Sequence, residues 1–99
     1  MNKLQFQIEC ILKNFEGRKV VIATETKLQA EMLLFVLKFN WDFGKNKDGV
    51  YVDIYESLEN GKQFITVNLD RIKAVSYIEH RSELYIYFKD DSNINIAVA

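Results

Sequence analysis

Cys10 and His80 are the only cysteine and the only histidine in the chain, so they are the first residues to weigh for chemistry. A thiolate nucleophile needs a base beside it and a third group that orients the base. Cys10 lies on an amphipathic run, where it reads as a small hydrophobe at the edge of a core. His80 lies in Glu79-His80-Arg81-Ser82, between two β-patterned runs, and reads as a solvated turn residue. Structural zinc takes four Cys or His ligands at short paired spacings, which one of each cannot supply. Asp42 and Asp48 share a loop and Asp90 adjoins Asp91, yet neither set has the alternating oxygen ligands and closing Glu of a calcium loop. Gly17, Gly44, Gly49 and Gly61 are scattered and form no phosphate cradle. The expectation is a non-enzymatic chain with no catalytic residues, no cofactor and no metal.

One catalytic alternative needs a specific geometry. Glu25-Thr26-Lys27 matches the tail of a nuclease-type ExK element placed after a strand, and such a site also needs an aspartate from a neighbouring strand. Asp53 is the candidate. The plainer reading is that Glu25 and Thr26 open a helix, where negative charge complements the helix dipole.

Binding has better support than catalysis. Tyr51, Tyr55, Tyr85 and Tyr87 alternate with aliphatic residues on β-patterned runs, which puts each on the face opposite the Val, Ile, Leu and Phe set. Tyrosine offers stiff contact area and a hydroxyl, and it is enriched at interfaces. It is also a good strand former that stabilises sheets across strands. Stacking of single-stranded nucleic acid is the alternative use of such a face, but it needs a cationic surround. The neighbours Asp53, Glu83 and Lys89 are mixed, and the net charge is −1, so nucleic acid is disfavoured. Trp41 and Phe43, in the polar run Trp41–Gly49, either project as anchors or fold back to cap the core.

The elements that must position these residues follow from hydrophobic period. Leu4, Ile8, Ile11, Leu12 and Phe15 fall on one helical face over residues 3–15, with Gly17 at the C-cap. Lys19–Thr24 reads as a strand covered on both faces. Thr26 with Gln29 matches a capping box, and Leu28, Met32, Phe35, Val36 and Phe39 form a stripe, predicting a second helix to about Phe39 or Asn40. Leu33, Leu34 and Leu37 widen that stripe nearly all round, so this helix is deeply buried or keeps a face for a partner. From Val50 the period is two, and Asn60-Gly61 signals a hairpin into 63–68. Strands over about 71–78 and 83–89 and a last strand with Ile94, Ile96 and Val98 complete the chain; the last is read as a low-charge edge suited to strand addition or dimerisation.

Ninety-nine residues, 48% hydrophobic and 27% charged, suit one globular domain over residues 1–99. The lone cysteine, and a start that lacks the basic and apolar regions of a signal peptide, favour a cytoplasmic setting. No apolar run approaches the roughly 20 residues of a membrane span. The segment KVVIAT–ETKLQAEMLLFVLKF–NWDFG over Lys19–Gly44 resembles a pattern of small phage-type accessory proteins. That resemblance implies occlusion of a host protein of defence or regulation. The reading is therefore an α+β fold, a mainly antiparallel sheet of five or six strands with two helices packed on one face; a small, partly closed barrel is the alternative. The function expected is a protein-binding inhibitor that engages a host protein through Tyr51, Tyr55, Tyr85 and Tyr87, then Trp41 and Phe43. A homodimer is a further possibility, and no membrane is expected.

Overall fold

Asn2 opens the chain's first element by accepting the Gln5 N–H on Oδ1 at 2.7 Å, which satisfies one of the free donors at a helix start. The computed structural model describes residues 2–28, 30–56 and 63–99. Helix α1 spans Lys3–Leu12 and tightens into a 3-10 turn, Lys13–Phe15. Gly17 follows at φ 71°, the left-handed conformation expected of it. Ile8, Leu12 and Phe15 are buried, so the face read from the sequence is the one turned inward.

Among the described residues eight strands follow: β1 Val20–Glu25, β2 Glu31–Val36, β3 Phe39–Asn46, β4 Gly49–Glu56, β5 Gln63–Asn68, β6 Ile72–Ile78, β7 Glu83–Phe88 and β8 Asn93–Val98. They form two antiparallel sheets, one in the order β2-β1-β8-β7-β6 and one in the order β3-β4-β5. Short links, Leu37-Lys38 and the 3-10 turn Leu69–Arg71, carry the chain from one sheet to the other and back. Taken in a ring, the strands run in sequence order from β1 to β8 and back to β1. That is the order of an up-and-down barrel, opened along the β2/β3 and β5/β6 seams.

Alternation within each strand builds a shared core. Val20 and Ile22, Leu84 and Ile86, and Ile94 and Ile96 face inward from the larger sheet; Phe39, Val52, Ile54 and Val67 meet them from the smaller one. Each such side chain contributes roughly 1.5–3 kcal/mol by leaving water. Helix α1 closes one end, where the Phe15 ring meets Phe39 edge-on at 5.9 Å and Tyr77 at 6.1 Å. Gly17 N–H donates to Phe39 O and Phe39 N–H to Arg18 O, tying the helix exit to the start of β3.

The expected second helix is corrected. Among the described residues the fold has one α-helix and two sheets in place of two helices on a single sheet, and residues 26–28 and 30–40 belong to a turn, β2 and the start of β3. A dense apolar run such as Met32–Leu37 satisfies helical and strand spacing alike, so its periodicity could not decide. The apparent cap works as a turn: Thr26 Oγ1 accepts the Ala30 N–H at 3.2 Å and the Thr26 N–H donates to Ala30 O at 3.0 Å, closing the β1–β2 hairpin. Gln29 and the Asn60-Gly61 hairpin signal lie outside the described residues. The C-terminal strand is no edge either, since β8 lies between β1 and β7.

Candidate functional site

The four tyrosines divide between the two sheets. Val52 and Ile54 of β4 are buried, so Tyr51, Asp53 and Tyr55 face outward from the three-stranded sheet. Leu84 and Ile86 of β7 are buried, so Tyr85 and Tyr87 face outward from the five-stranded sheet, across the shared core. The alternation read from the sequence holds on both strands, yet the residues make two surfaces.

The tyrosines of β4 are engaged within their own sheet. Gly44 of β3 pairs with Tyr51, and a Cβ added at Gly44 would collide with the Tyr51 ring; the ring covers the space a side chain would fill. Tyr55 pairs with Asn40 and reaches Asp42, and its phenol is held above its ordinary pKa, first by burial, then by the Asp42 charge and hydrogen bond. Beside them Thr66 Oγ1 donates to Asp53 at 2.7 Å. Trp41 and Phe43 lie on β3 and not in a loop, and both pack against the core, Trp41 with its ring 6.2 Å from that of Phe39.

Tyr85 and Tyr87 stack nearly parallel, 6.2 Å apart at 9°. Tyr85 donates its hydroxyl to Glu83 at 3.1 Å, and that bond, ahead of partial desolvation and the Glu83 charge, raises its pKa. Tyr87 is 40% exposed. The ladder registers place these rings in three rows across the outer face: Phe35, Val21, Ala97, Glu83 and Ile78; Leu33, Ala23, Asn95, Tyr85 and Ser76; Glu31, Glu25, Asn93, Tyr87 and Ala74. One end is apolar, the other aromatic and amide-bearing. These rows hold three carboxylates and no cation, which is a poor surround for a nucleic-acid platform.

The apolar end is built from residues that the sequence reading places on a helix, either deeply buried or keeping a face for a partner, and the structure places on β2. In a strand, alternate members of an all-apolar run must point outward. Leu34 and Val36 turn toward the core, while Leu33 and Phe35 stand 56% and 71% exposed on the outer face. Met32, Leu37 and, in the hairpin turn, Leu28 are exposed as well, Leu28 at 90%. The signal was legible as an excess: more apolar residues than one buried stripe can use.

Other candidates are scattered. Glu25 lies on the outer face of the larger sheet and Asp53 on that of the smaller one, so the nuclease-type pair is not brought together. Cys10 and His80 are both exposed. Among the described residues no group of three or more His, Cys, Asp or Glu could hold a metal ion, and no helix is long and apolar enough to cross a membrane. Where the ends of β1 and β5 and the starts of β6 and β8 come together, an open cleft of about 640 Å³ lies between the two sheets. Val67, Phe88 and Ile94 line it, with Arg71 and Lys89 balanced by Glu25 and Asp90. No family model, no curated protein and no solved structure matches the chain.

Proposed function

We propose that this chain is a non-enzymatic protein-binding module whose docking face is the outer face of its five-stranded sheet. The observation that supports this reading is the exposed apolar and aromatic content of that face, with Phe35 and Leu33 at one end and the stacked Tyr85–Tyr87 pair at the other. An exposed apolar surface of this extent, rimmed by carboxylates and amides, marks an interaction site on a small domain. In this reading the module acts by covering a partner's surface. In the form that the sequence resemblance implies, the partner is a host protein met in the cytoplasm and the effect is inhibition by occlusion.

The test is a pull-down with tagged chain from bacterial lysate, with and without nuclease. The expected result is one protein retained in stoichiometric amount after nuclease, lost with the double change Tyr85→Ala and Tyr87→Ala, and kept with Lys45→Ala on the opposite sheet. Recovery of nucleic acid alone, or of a partner that leaves with it, would replace this reading by the stacking platform. Unfolding of the double variant would make the tyrosines structural, and substitution of Asn95 to Arg in the same row then probes the face.

A further inference from the structure

We infer that the apolar end of this face is covered by a second copy of the chain, with the two β2 strands paired antiparallel about a twofold axis. The inference rests on the docking reading above and names one of the partners that reading calls for.

The edge is open in a way that suits a strand. Thr26 N–H bonds to Ala30 O, which makes 26 and 30 a hydrogen-bonded pair of the β1–β2 ladder. Such pairs alternate along an antiparallel ladder, so Met32, Leu34 and Val36 bond to β1. The peptide groups of Glu31, Leu33 and Phe35 therefore point away from it. The next of this set, Leu37, donates its N–H to the Glu56 carboxylate at 2.8 Å, as an outward-pointing donor must. Among the described residues β2 pairs with no strand except β1. It carries no proline, no lysine and no bulge, the devices that blunt an edge.

The occupant is specified by what is exposed. Met32 on the inner side and Leu33 and Phe35 on the outer side of the same strand are all exposed. A helix laid on the sheet would cover one side only, whereas a strand added at the edge brings side chains to both. Charge selects a copy of this chain. Glu31 and Glu25 stand directly opposite each other at one end of the hairpin, a like-charge pair with no cation bonded to either among the described residues. Lys19 and Lys38 stand at the other end, against the one Glu56 carboxylate that Leu37 N–H holds there, so that end is net basic among these residues. Antiparallel self-pairing sets the acidic end of each hairpin beside the basic end of the other.

The register centred on Leu34 pairs the outward-bonding residues with one another. Leu33 then lies opposite the partner subunit's Phe35, and Glu31 reaches the end of the strand that carries the partner subunit's Lys38. The axis runs perpendicular to the sheet, so both outer faces lie on one side of a continuous ten-stranded sheet. Each Tyr85–Tyr87 pair stays open, the two pairs separated by seven strand spacings, on the order of 34 Å.

Sedimentation velocity of the full chain over a range reaching about 100 μM tests this, alongside two charged variants, Leu33→Lys and Phe35→Lys, whose folding is checked by circular dichroism. A third variant, Leu34→Cys on a Cys10→Ser background, sits on the axis in a close, non-hydrogen-bonded pair whose spacing suits a disulfide. The expected result is a dimer of the 11.6 kDa chain, folded monomers for both lysine variants, and an oxidised Leu34→Cys dimer on a denaturing gel. A wild-type chain that stays monomeric overturns the inference, and so does a dimer that survives both lysine variants. A monomer that still captures another protein through Tyr85 and Tyr87 sinks this inference and keeps the docking reading. A β2-linked dimer that captures nothing does the reverse.

Discussion

The outer faces of the two sheets follow the same alternation and end in opposite conditions. On the three-stranded sheet the outward residues are polar or already engaged: Tyr51 lies over Gly44, Tyr55 reaches Asp42, and Thr66 bonds to Asp53. On the five-stranded sheet Leu33, Phe35 and Tyr87 are left to solvent. Outward position alone therefore does not mark an interface. A tyrosine that fills the gap above a glycine is structural; a tyrosine stacked on its strand neighbour, on a face whose far end is apolar and exposed, is available. Engaged residues should therefore cost stability when changed, and available ones should not.

The largest effect is expected where the two sheets share material. Phe39 of β3 is fully buried, meets Phe15 edge-on and anchors the strap from Gly17 and Arg18. Phe39→Ala should lose roughly 3–5 kcal/mol in urea unfolding. A loss below about 1 kcal/mol would mean that the sheets are not held by one core. Next comes the engaged face. Gly44→Ala forces the Tyr51 ring away and should lose about 1–3 kcal/mol. In a double-mutant cycle, Tyr51→Ala should cost less on the Gly44→Ala background than on the wild type, because the ring has already left its place. Additive effects would break the claim that this tyrosine serves the glycine.

The same contrast explains what could be read from the sequence. The helix over residues 3–15, the inward set of β7 and β8 and the outward set of tyrosines were legible because each has a single clean period. Residues 31–36 were not, since Glu-Met-Leu-Leu-Phe-Val offers apolar side chains at every spacing, and Thr26 hydrogen-bonds equally well at a helix start or across a hairpin turn. Losing that strand hid the topology, because β2 is the fifth strand of the larger sheet and gives β1 its second neighbour. Sheet membership was illegible for another reason. Tyr51 and Tyr85 obey the same local rule, and only the crossing at Leu69–Arg71 sends their strands to different sheets.

On the available face, Phe35→Ser should change unfolding stability by no more than about 0.5 kcal/mol when measured at a dilution where the chain is monomeric, as expected of a side chain 71% exposed in the single chain. Paired with the loss from Gly44→Ala, it separates a face that is finished from one that is waiting. A drop of about 2 kcal/mol or more at that dilution would show that Phe35 packs within the monomer and is no more available than Tyr51.

The smallest expected effect is on the titration of the two faces' tyrosines. Tyr55 and Tyr85 are both raised above the ordinary tyrosine pKa, but Tyr55 first by burial and Tyr85 first by its hydrogen bond to Glu83. A phenol raised on folding stabilises the fold below its unfolded pKa, near 10, and that contribution disappears as pH climbs through the folded value. Glu83→Gln removes the charge behind the leading cause at Tyr85, so its pKa should fall back toward the ordinary value. Asp42→Asn removes only the lesser causes at Tyr55, which should stay raised. Nuclear magnetic resonance of the tyrosine ring carbons, followed to alkaline pH, resolves the two. If Tyr55 relaxes as fully as Tyr85, burial is not what holds it, and the three-stranded face is more open than its contacts imply.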